Sequence, residues 1–156
     1  MNFQEITRRS FCNRLLLTST GLALAVSNLK GASASRHDSL LAYPPVKIEG
    51  AERLLPGSFL YFSYPGVNDP AVLVRAQDGE YFAHSRKCAH LGCSVDFDGA
   101  RRCLTCPCHR GAYDARTGFV LHGPPPRPLD PIVLQMRAGG EVWAVGRRVG
   151  SSNPNA

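Results

Sequence analysis

Long helical periodicity is absent from most of this sequence, and so is a long uninterrupted apolar run. After Ser35 no window repeats apolar residues at helical spacing, so a bundle of long helices is not expected. The longest apolar stretch, Leu15 to Leu29, is shorter than the about 20 residues that a transmembrane helix needs, and polar residues interrupt it. Aromatic residues make up only 8% and do not alternate with the arginines, so we expect no nucleic-acid surface.

The basic surplus is partly concentrated at the N-terminus, where it has the layout of an export signal. The chain has 18 Lys+Arg and 12 Asp+Glu residues, and the pair Arg8-Arg9 precedes the apolar stretch and a small-residue segment that ends at Ala34. This order resembles a twin-arginine signal. We predict that residues 1–34 are a signal cleaved after Ala34, with an uncleaved membrane anchor as the alternative. An amphipathic helix is disfavoured because the apolar block is not periodic.

The twin-arginine resemblance implies a destination and a folding history. That pathway carries proteins that are already folded around their cofactors. The signal therefore predicts a cofactor inserted in the cytoplasm and a periplasmic location, or one on the periplasmic side of the membrane. Such a compartment is oxidising enough to keep a disulfide.

The remainder of the chain alternates short β-rich runs with turn residues. An Asp-Gly pair and a Gly-Gly pair predict two hairpins, and the fold class is all-β, as a small sandwich or stacked sheets. The predicted strands are 57–64, 71–75, 80–84, 132–137 and 141–145, with a further strand-like run at 119–121.

These patterns divide the chain into four parts. Residues 35–45 are predicted to be a linker, because the first sheet could begin at Val46. Residues 46–150 are predicted to form the domain, and residues 151–156 a flexible tail.

Five of the six cysteines lie in one stretch of twenty-two residues, and two of them pair with a histidine at short spacing. Each of these two half-sites supplies one thiolate and one imidazole. The half-sites are Cys88-x-His90 and Cys106-x-x-His109. Cys93 and Cys108 fall just after the first half-site and inside the second, and Cys103 is left over.

Three chemistries could use this set of side chains. Two Cys and two His suit a structural zinc ion, but a Cys-x-His spacing is tighter than that of a zinc finger and neither half-site begins a predicted helix. Thiol redox chemistry fits Cys103-x-x-Cys106, but it leaves both histidines unexplained and lacks a βαβ pattern. The third is a [2Fe–2S] cluster, in which two Cys bind one iron and two His bind the other.

The longer motif resembles the Rieske iron–sulfur protein family. The resemblance is carried by Cys88-Ala89-His90-Leu91-Gly92-Cys93 and Cys106-Pro107-Cys108-His109, and it continues through Tyr113-Asp114, Thr117-Gly118 and Gly123-Pro124-Pro125-Pro126. It implies stacked antiparallel sheets with a cluster-binding subdomain of two loops and a Pro-rich loop.

The resemblance also implies roles for individual residues. Cys88 and Cys106 would bind the inner iron, and His90 and His109 the outer, surface iron. Cys93 and Cys108 would form a disulfide between the loops, as in respiratory Rieske proteins. The residues that would shield or tune the cluster are Leu91, Tyr113, Pro124 and Pro125.

The chain departs from the respiratory pattern after the last ligand. Respiratory members usually continue with Gly-Ser, whose hydroxyl donates a hydrogen bond to a bridging sulfide, whereas this chain has Arg110-Gly111. Tyr113 is retained. Because hydrogen bonds to cluster sulfurs raise the potential, the missing hydroxyl together with Tyr113 predicts a midpoint in the upper half of the Rieske range but below its top.

The resemblance implies one-electron transfer within a larger assembly rather than catalysis by this chain alone. The expected partners are a larger redox subunit, of the molybdenum oxidase or the cytochrome b type, and a c-type cytochrome or similar acceptor. The weak apolar segment and the 15-residue interval between the half-sites favour an arsenite-oxidase-like small subunit over a quinol–cytochrome c reductase Rieske subunit.

Overall fold

The computed structural model describes residues 39–150, which are almost entirely β-structure. The predicted signal 1–34 and the tail 151–156 lie outside the described residues. Two short 3-10 turns, Ala51–Arg53 and Ala138–Gly140, accompany ten strands. The strands are β1 Ser39–Lys47, β2 Phe59–Ser63, β3 Pro70–Arg75, β4 Tyr81–Ser85, β5 Asp96–Asp98, β6 Cys103–Cys106, β7 Gly111–Asp114, β8 Val120–His122, β9 Ile132–Met136 and β10 Val142–Val149. Within residues 39–150, no helix has the length and apolar character needed to cross a bilayer.

The first sheet has the order β1-β10-β9 and is antiparallel throughout. The hairpin predicted at the Gly-Gly pair is β9-β10. The predicted linker 35–45 differs from the structure, because residues 39–45 belong to β1 and pair with β10. Pro44 and Pro45 lack an N–H, so the ladder is interrupted between Ala42 and Val46, and this interruption hid the strand in the sequence.

The middle sheet has the order β2-β3-β4, and both faces of its central strand are buried. Ala71 and Leu73 pack against first-sheet residues such as Val142 in one core. Val72 and Val74 face the other way and join a second core with residues of β6 and β7. Because alternate side chains of a strand point to opposite faces, β3 separates two apolar layers.

The third sheet, β5-β6-β7-β8, lies across the second core. Leu104 and Tyr113 are completely buried in that core. At the end of β5, Asp98 Oδ1 accepts hydrogen bonds from the backbone amides of Ala100 and Arg101, which fixes the turn into β6. β6 and β7 then form the hairpin that carries the second half-site. The run 119–121 was predicted as strand-like and corresponds to β8, whereas sequence patterns did not identify β6 and β7.

A buried histidine lies where the middle sheet meets the segment after β7. His84 of β4 is 2% exposed, its Nε2 lies 3.1 Å from the carbonyl oxygen of Ala115, and its Nδ1 has no hydrogen-bond partner among the described residues. A Cβ on Gly118 would lie 2.9 Å from that Nδ1, so only glycine fits there. Burial lowers the pKa of His84, while backbone contacts with Ala115 and Arg116 and the charge of Asp114 partly oppose this shift. The imidazole is therefore neutral in the folded state, with Nε2–H donating to Ala115.

We expect His84 to make the folded domain acid-sensitive. Since its folded-state pKa lies below the unfolded value, the stabilisation is present above the unfolded pKa of about 6.5 and is lost as pH falls below it. The free energy of unfolding, measured by urea titration between roughly pH 7.5 and pH 5, should fall more steeply for the wild type than for His84→Phe, by up to about 1.4 kcal/mol per pH unit. The exposed His122, replaced in His122→Gln, is the control and should keep the wild-type slope. Parallel slopes for wild type and His84→Phe would contradict this assignment.

Candidate metal centre

The first loop of the site follows β4 and folds back on itself. The amide of Cys88 donates to the carbonyl oxygen of Cys93, and the amide of Gly92 donates to the carbonyl oxygen of Cys88, both at 2.8 Å. Gly92 has φ 77°, in the left-handed region that glycine enters without steric cost. The tight turn places the Cys88 thiol in the second core, where the residue is 4% exposed.

Arg86 braces both ends of this loop against the middle sheet. Its Nε donates to the carbonyl oxygen of Val95 at 2.8 Å, and its Nη2 contacts Asp96 Oδ1 at 2.5 Å. The guanidinium also stacks on the Tyr61 ring at 3.6 Å from the ring centroid. Planar stacking and directed donors together suit arginine rather than lysine here.

The second loop connects β6 to β7 within a hairpin. Cys106 pairs with Gly111 at the end of the ladder, so the loop contains only residues 107–110. Cys106 is 3% exposed, whereas Cys108 and His109 are exposed. Arg110 completes the turn with φ 56°, an uncommon conformation for a residue with a Cβ.

A disulfide joins the two loops, as the family resemblance implied. Cys93 and Cys108 are bonded across a sequence separation of 15, with a Cα–Cα distance of 6.6 Å. The Cys106 Sγ lies within 4.8 Å of both disulfide sulfurs. The two bonded sulfurs cannot serve as thiolate ligands, so their role is to hold the loops together. A cross-link that closes a loop of this size lowers the entropy of the unfolded chain, and this stabilises the folded state by about 3 kcal/mol.

The two histidines of the half-sites lie next to each other. The ring centroids of His90 and His109 are 4.7 Å apart, and the rings are nearly perpendicular at 84°. His90 Nδ1 is buried and has no hydrogen-bond partner among residues 39–150. Since a buried polar nitrogen without a partner is costly, this atom is suited to a metal ion. Each imidazole lies in a loop that also carries a buried cysteine, Cys88 or Cys106.

Backbone amides converge on both buried sulfurs. The Cys88 sulfur accepts hydrogen bonds from the backbone amides of His90 and Leu91. The Cys106 sulfur accepts hydrogen bonds from the backbone amides of Cys108 and His109. Burial opposes ionisation of Cys88, but hydrogen bonds from Tyr113 and these amides outweigh it and lower its pKa. Burial dominates at Cys106 and raises its pKa. The two loops thus have equivalent donors for negatively charged sulfur, two and three residues after each cysteine.

Tyr113 connects the third sheet to the first loop. Its hydroxyl donates to Cys88 Sγ at 3.2 Å and accepts the amide of Ala89 at 3.1 Å. Burial raises the pKa of Tyr113, and the hydrogen bond to Cys88 adds to the shift, so the hydroxyl stays protonated and available as a donor. Sequence reasoning identified the donor to a cysteine sulfur but did not identify its second role in fixing the loop backbone.

The predicted shielding residues occupy different environments. Leu91 is 69% exposed at the rim of the first loop, Pro124 is exposed, and Pro125 is buried. A Cβ on Gly111 would lie 2.8 Å from Pro125 Cγ and 3.9 Å from Cys106 Cβ. Pro125 thus occupies the space beside Cys106 that a side chain at position 111 would need. This close approach gives a steric reason for glycine where the respiratory pattern has serine.

Cys103 is separate from this arrangement. It is 4% exposed and in β6, and burial together with the nearby charge of Asp98 raises its pKa. A protonated, buried thiol behaves as a small apolar side chain. The Cys103-x-x-Cys106 pair is not bonded; the described disulfide uses Cys93 and Cys108 instead.

The family profile of the Rieske [2Fe-2S] domain matches residues 46–137. This match covers more than half of the chain. The chain belongs to the Rieske family. Its cofactor is therefore a [2Fe–2S] cluster, and the donor set of two buried cysteines and two adjacent imidazoles, one with an unpartnered nitrogen, fits that group.

Known proteins agree with the family. A cytochrome b6-f complex iron–sulfur subunit of Chlorobaculum tepidum is 39% identical over 78 residues, which are 50% of this chain and 42% of that protein. A Rieske subunit of Haloferax mediterranei, whose name assigns it to a respiratory nitrate reductase, is 38% identical over 77 residues, 47% of this chain and 34% of that protein. The chain spans less than half the length of both relatives.

The fold also matches a solved Rieske structure. The ferredoxin of carbazole 1,9a-dioxygenase from Nocardioides aromaticivorans superposes with a TM-score of 0.53 at 27% identity, covering 64% of this chain and 95% of that one. The prediction of a Rieske-type, all-β fold is confirmed.

We expect Gly111→Ala to destabilise the domain, because the new methyl group would overlap the Pro125 ring. Overpacking of this kind costs about 1–3 kcal/mol, and it should appear as a lower free energy of unfolding in urea. Gly99→Ala is the matched control, since a Cβ there meets only Phe97 Cε1 at an ordinary 3.5 Å. Equal stabilities of the two variants would contradict the assigned close approach.

Proposed function

We propose that this chain is an electron-transfer subunit that passes single electrons through its [2Fe–2S] cluster within a larger oxidoreductase complex. The observation that carries the proposal is the adjacent pair His90 and His109, at 4.7 Å, in loops whose cysteines are buried. Such an arrangement puts one end of the cofactor near solvent and the other in an apolar core. An exposed edge suits electron exchange with a partner.

The proposed ligands are Cys88 and Cys106 for the inner iron and His90 and His109 for the outer iron. The burial supports this division, because both cysteines are at most 4% exposed while His109 is exposed. The amides directed at each cysteine sulfur favour thiolates, the form in which cysteine binds metal. The structural-zinc and thiol-redox alternatives receive no support from the family match.

The cluster supplies the site that gains and loses one electron, and the protein controls its surroundings. Tyr113 and the backbone amides donate to the sulfurs, and such bonds favour the more negative, reduced state. The disulfide Cys93–Cys108 holds the two loops at a fixed separation. Pro125 is buried and fills the space beside Cys106 that a side chain at position 111 would need.

The proposed partners are a larger redox subunit and a c-type cytochrome or similar acceptor. The names of the relatives support both a cytochrome complex and a respiratory oxidoreductase as the assembly. The arsenite-oxidase-like interpretation rests on the sequence alone, through its weak apolar segment and compact half-site interval.

Purified protein from a host that builds clusters should contain two irons and two sulfides per chain, and its dithionite-reduced form should give the low-temperature EPR spectrum of a His-ligated cluster. Cys106→Ser should abolish both, because it removes a proposed ligand. Cys103→Ser is the matched control, three residues away on the same strand, and should retain iron and spectrum.

Two outcomes would contradict the proposal. A colourless wild type with stoichiometric zinc would establish a structural metal domain instead. Loss of iron in Cys103→Ser with full retention in Cys106→Ser would show that the ligand set is assigned wrongly.

We also propose that the domain reaches the periplasm in folded form through its twin-arginine-type signal. The alternative is that an uncleaved signal keeps it at the periplasmic side of the membrane. Replacing Arg8 and Arg9 together by lysine should leave the protein in the cytoplasmic fraction, because the signal is recognised by the pair. Arg14→Lys keeps the pair and is the control. Cell fractionation with immunodetection measures the result, and unchanged export of the double variant would refute the twin-arginine assignment.

A further inference from the structure

A cleft on the flank of the metal centre is not used by the proposed function. It has a volume of about 510 Å³ and lies beside β6, β7 and β8. Cys106 and Pro107 form its boundary with the metal centre. The lining residues that matter here are Arg101, Arg110, His122, Asp98 and Thr105.

Arg110 occupies the point where the cleft meets the second loop. It directly follows His109, is exposed, and adopts φ 56°. A residue with a Cβ adopts this conformation only rarely. The packing around it is tight, since a Cβ on Gly123 would lie 3.3 Å from the Arg110 carbonyl oxygen. The backbone of Arg110 is therefore closely packed, while its exposed side chain lines the cleft one residue after His109.

The cationic groups of this cleft have little acidic compensation. Within residues 39–150, Arg110 forms no ion pair. Arg101 has only a long contact, with its Nε 3.7 Å from Asp98 Oδ2, and Asp98 Oδ1 is already occupied by two backbone amides. The loops 88–92, 107–110 and 123–127 contain no aspartate or glutamate.

We propose that this cleft is the docking surface for an acidic protein electron-transfer partner, whose carboxylates bind Arg110 and Arg101 while its surface contacts the exposed edge of His109. The proposal rests on the proposed function for the nature of the partner. Charge complementarity selects the occupant, because the unpaired guanidinium of Arg110 and the loosely paired one of Arg101 attract carboxylates. Arginine also binds a carboxylate in bidentate geometry. The cleft accommodates the carboxylate side chains beside the metal centre.

The first test measures how fast reduced protein is oxidised by probes of opposite charge. Hexacyanoferrate(III) takes one electron from the reduced protein and becomes hexacyanoferrate(II), with no bond made or broken; tris(phenanthroline)cobalt(III) is the cationic counterpart. At an ionic strength of about 10 mM, Arg110→Gln should slow the anionic probe by about threefold or more and should not slow the cationic one. The difference should largely disappear at about 0.5 M salt. Arg101→Gln should act in the same direction.

Arg53→Gln is the matched control for these variants. Arg53 is exposed, has a similarly long contact of 3.8 Å with Glu52, and does not line the cleft. Its replacement by Gln removes the same single positive charge from the protein. If Arg110→Gln and Arg53→Gln give the same rates with both probes, the proposal is wrong. The EPR spectrum of each variant shows separately whether the cluster is present.

The second test does not depend on electron transfer. Hexacyanochromate(III), a paramagnetic anion that is not reduced, should broaden the amide resonances of Leu121 and His122 in the wild type and much less in Arg110→Gln. Poly-L-glutamate should compete with the anion and restore these resonances. If poly-L-glutamate fails to compete, the cleft binds only small anions, and the proposal of an acidic protein partner is wrong. This mapping decides the inference even if the proposed function fails.

Discussion

The burial of both faces of β3 is the constraint on which this fold depends. Its four central residues 71–74 are buried, two toward each core. A strand with no solvated face must be covered on both sides, so the first and third sheets are required partners rather than additions. Full burial of a Val or Leu side chain, such as those of Val72, Leu73 and Val74, contributes about 1.5–3 kcal/mol, so the middle sheet stabilises both layers. The second core also forms the base of the metal centre, because Cys88 and Cys106 belong to it.

Attachment to the second core explains how two loops can form a site of fixed geometry. Cys88 and Cys106 are members of the second core, so each loop is attached to the packed layer through its own cysteine. The disulfide Cys93–Cys108 then joins the loops beyond the core, and Tyr113 ties the first loop backbone to β7. The sulfurs receive several oriented donors, and these dipoles do not need to reorganise when the charge of the site changes. Low reorganisation is what a one-electron carrier requires of its surroundings.

The sequence predicted the parts whose signal is local. Alternating β-branched and aromatic residues identified β2, β3, β4, β9 and β10, and the spacing of Cys and His identified the half-sites. β1 was partly missed because Pro44-Pro45 reads as a linker, although the strand continues on either side of an irregular ladder. The β6-β7 hairpin was missed because its residues are selected by contacts with the second core and the site. The approach of Pro125 to Gly111 joins positions far apart in the chain, so no local pattern could reveal it.

The two departures from the respiratory motif, at positions 110 and 111, lie at one closely packed contact. Pro125 lies against the place where a Gly111 side chain would be, and a Cβ on Gly123 would lie 2.6 Å from the Gly111 Cα, so backbone approaches backbone at this point. Arg110, next to this contact, is left-handed despite its Cβ, and its side chain is exposed. At these two positions the chain therefore has no hydroxyl beside Cys106 and a positive charge at the edge of the site. A hydrogen bond acts on the cluster sulfurs themselves, whereas an exposed charge acts on a molecule that approaches the site, so the two positions affect different steps of electron exchange.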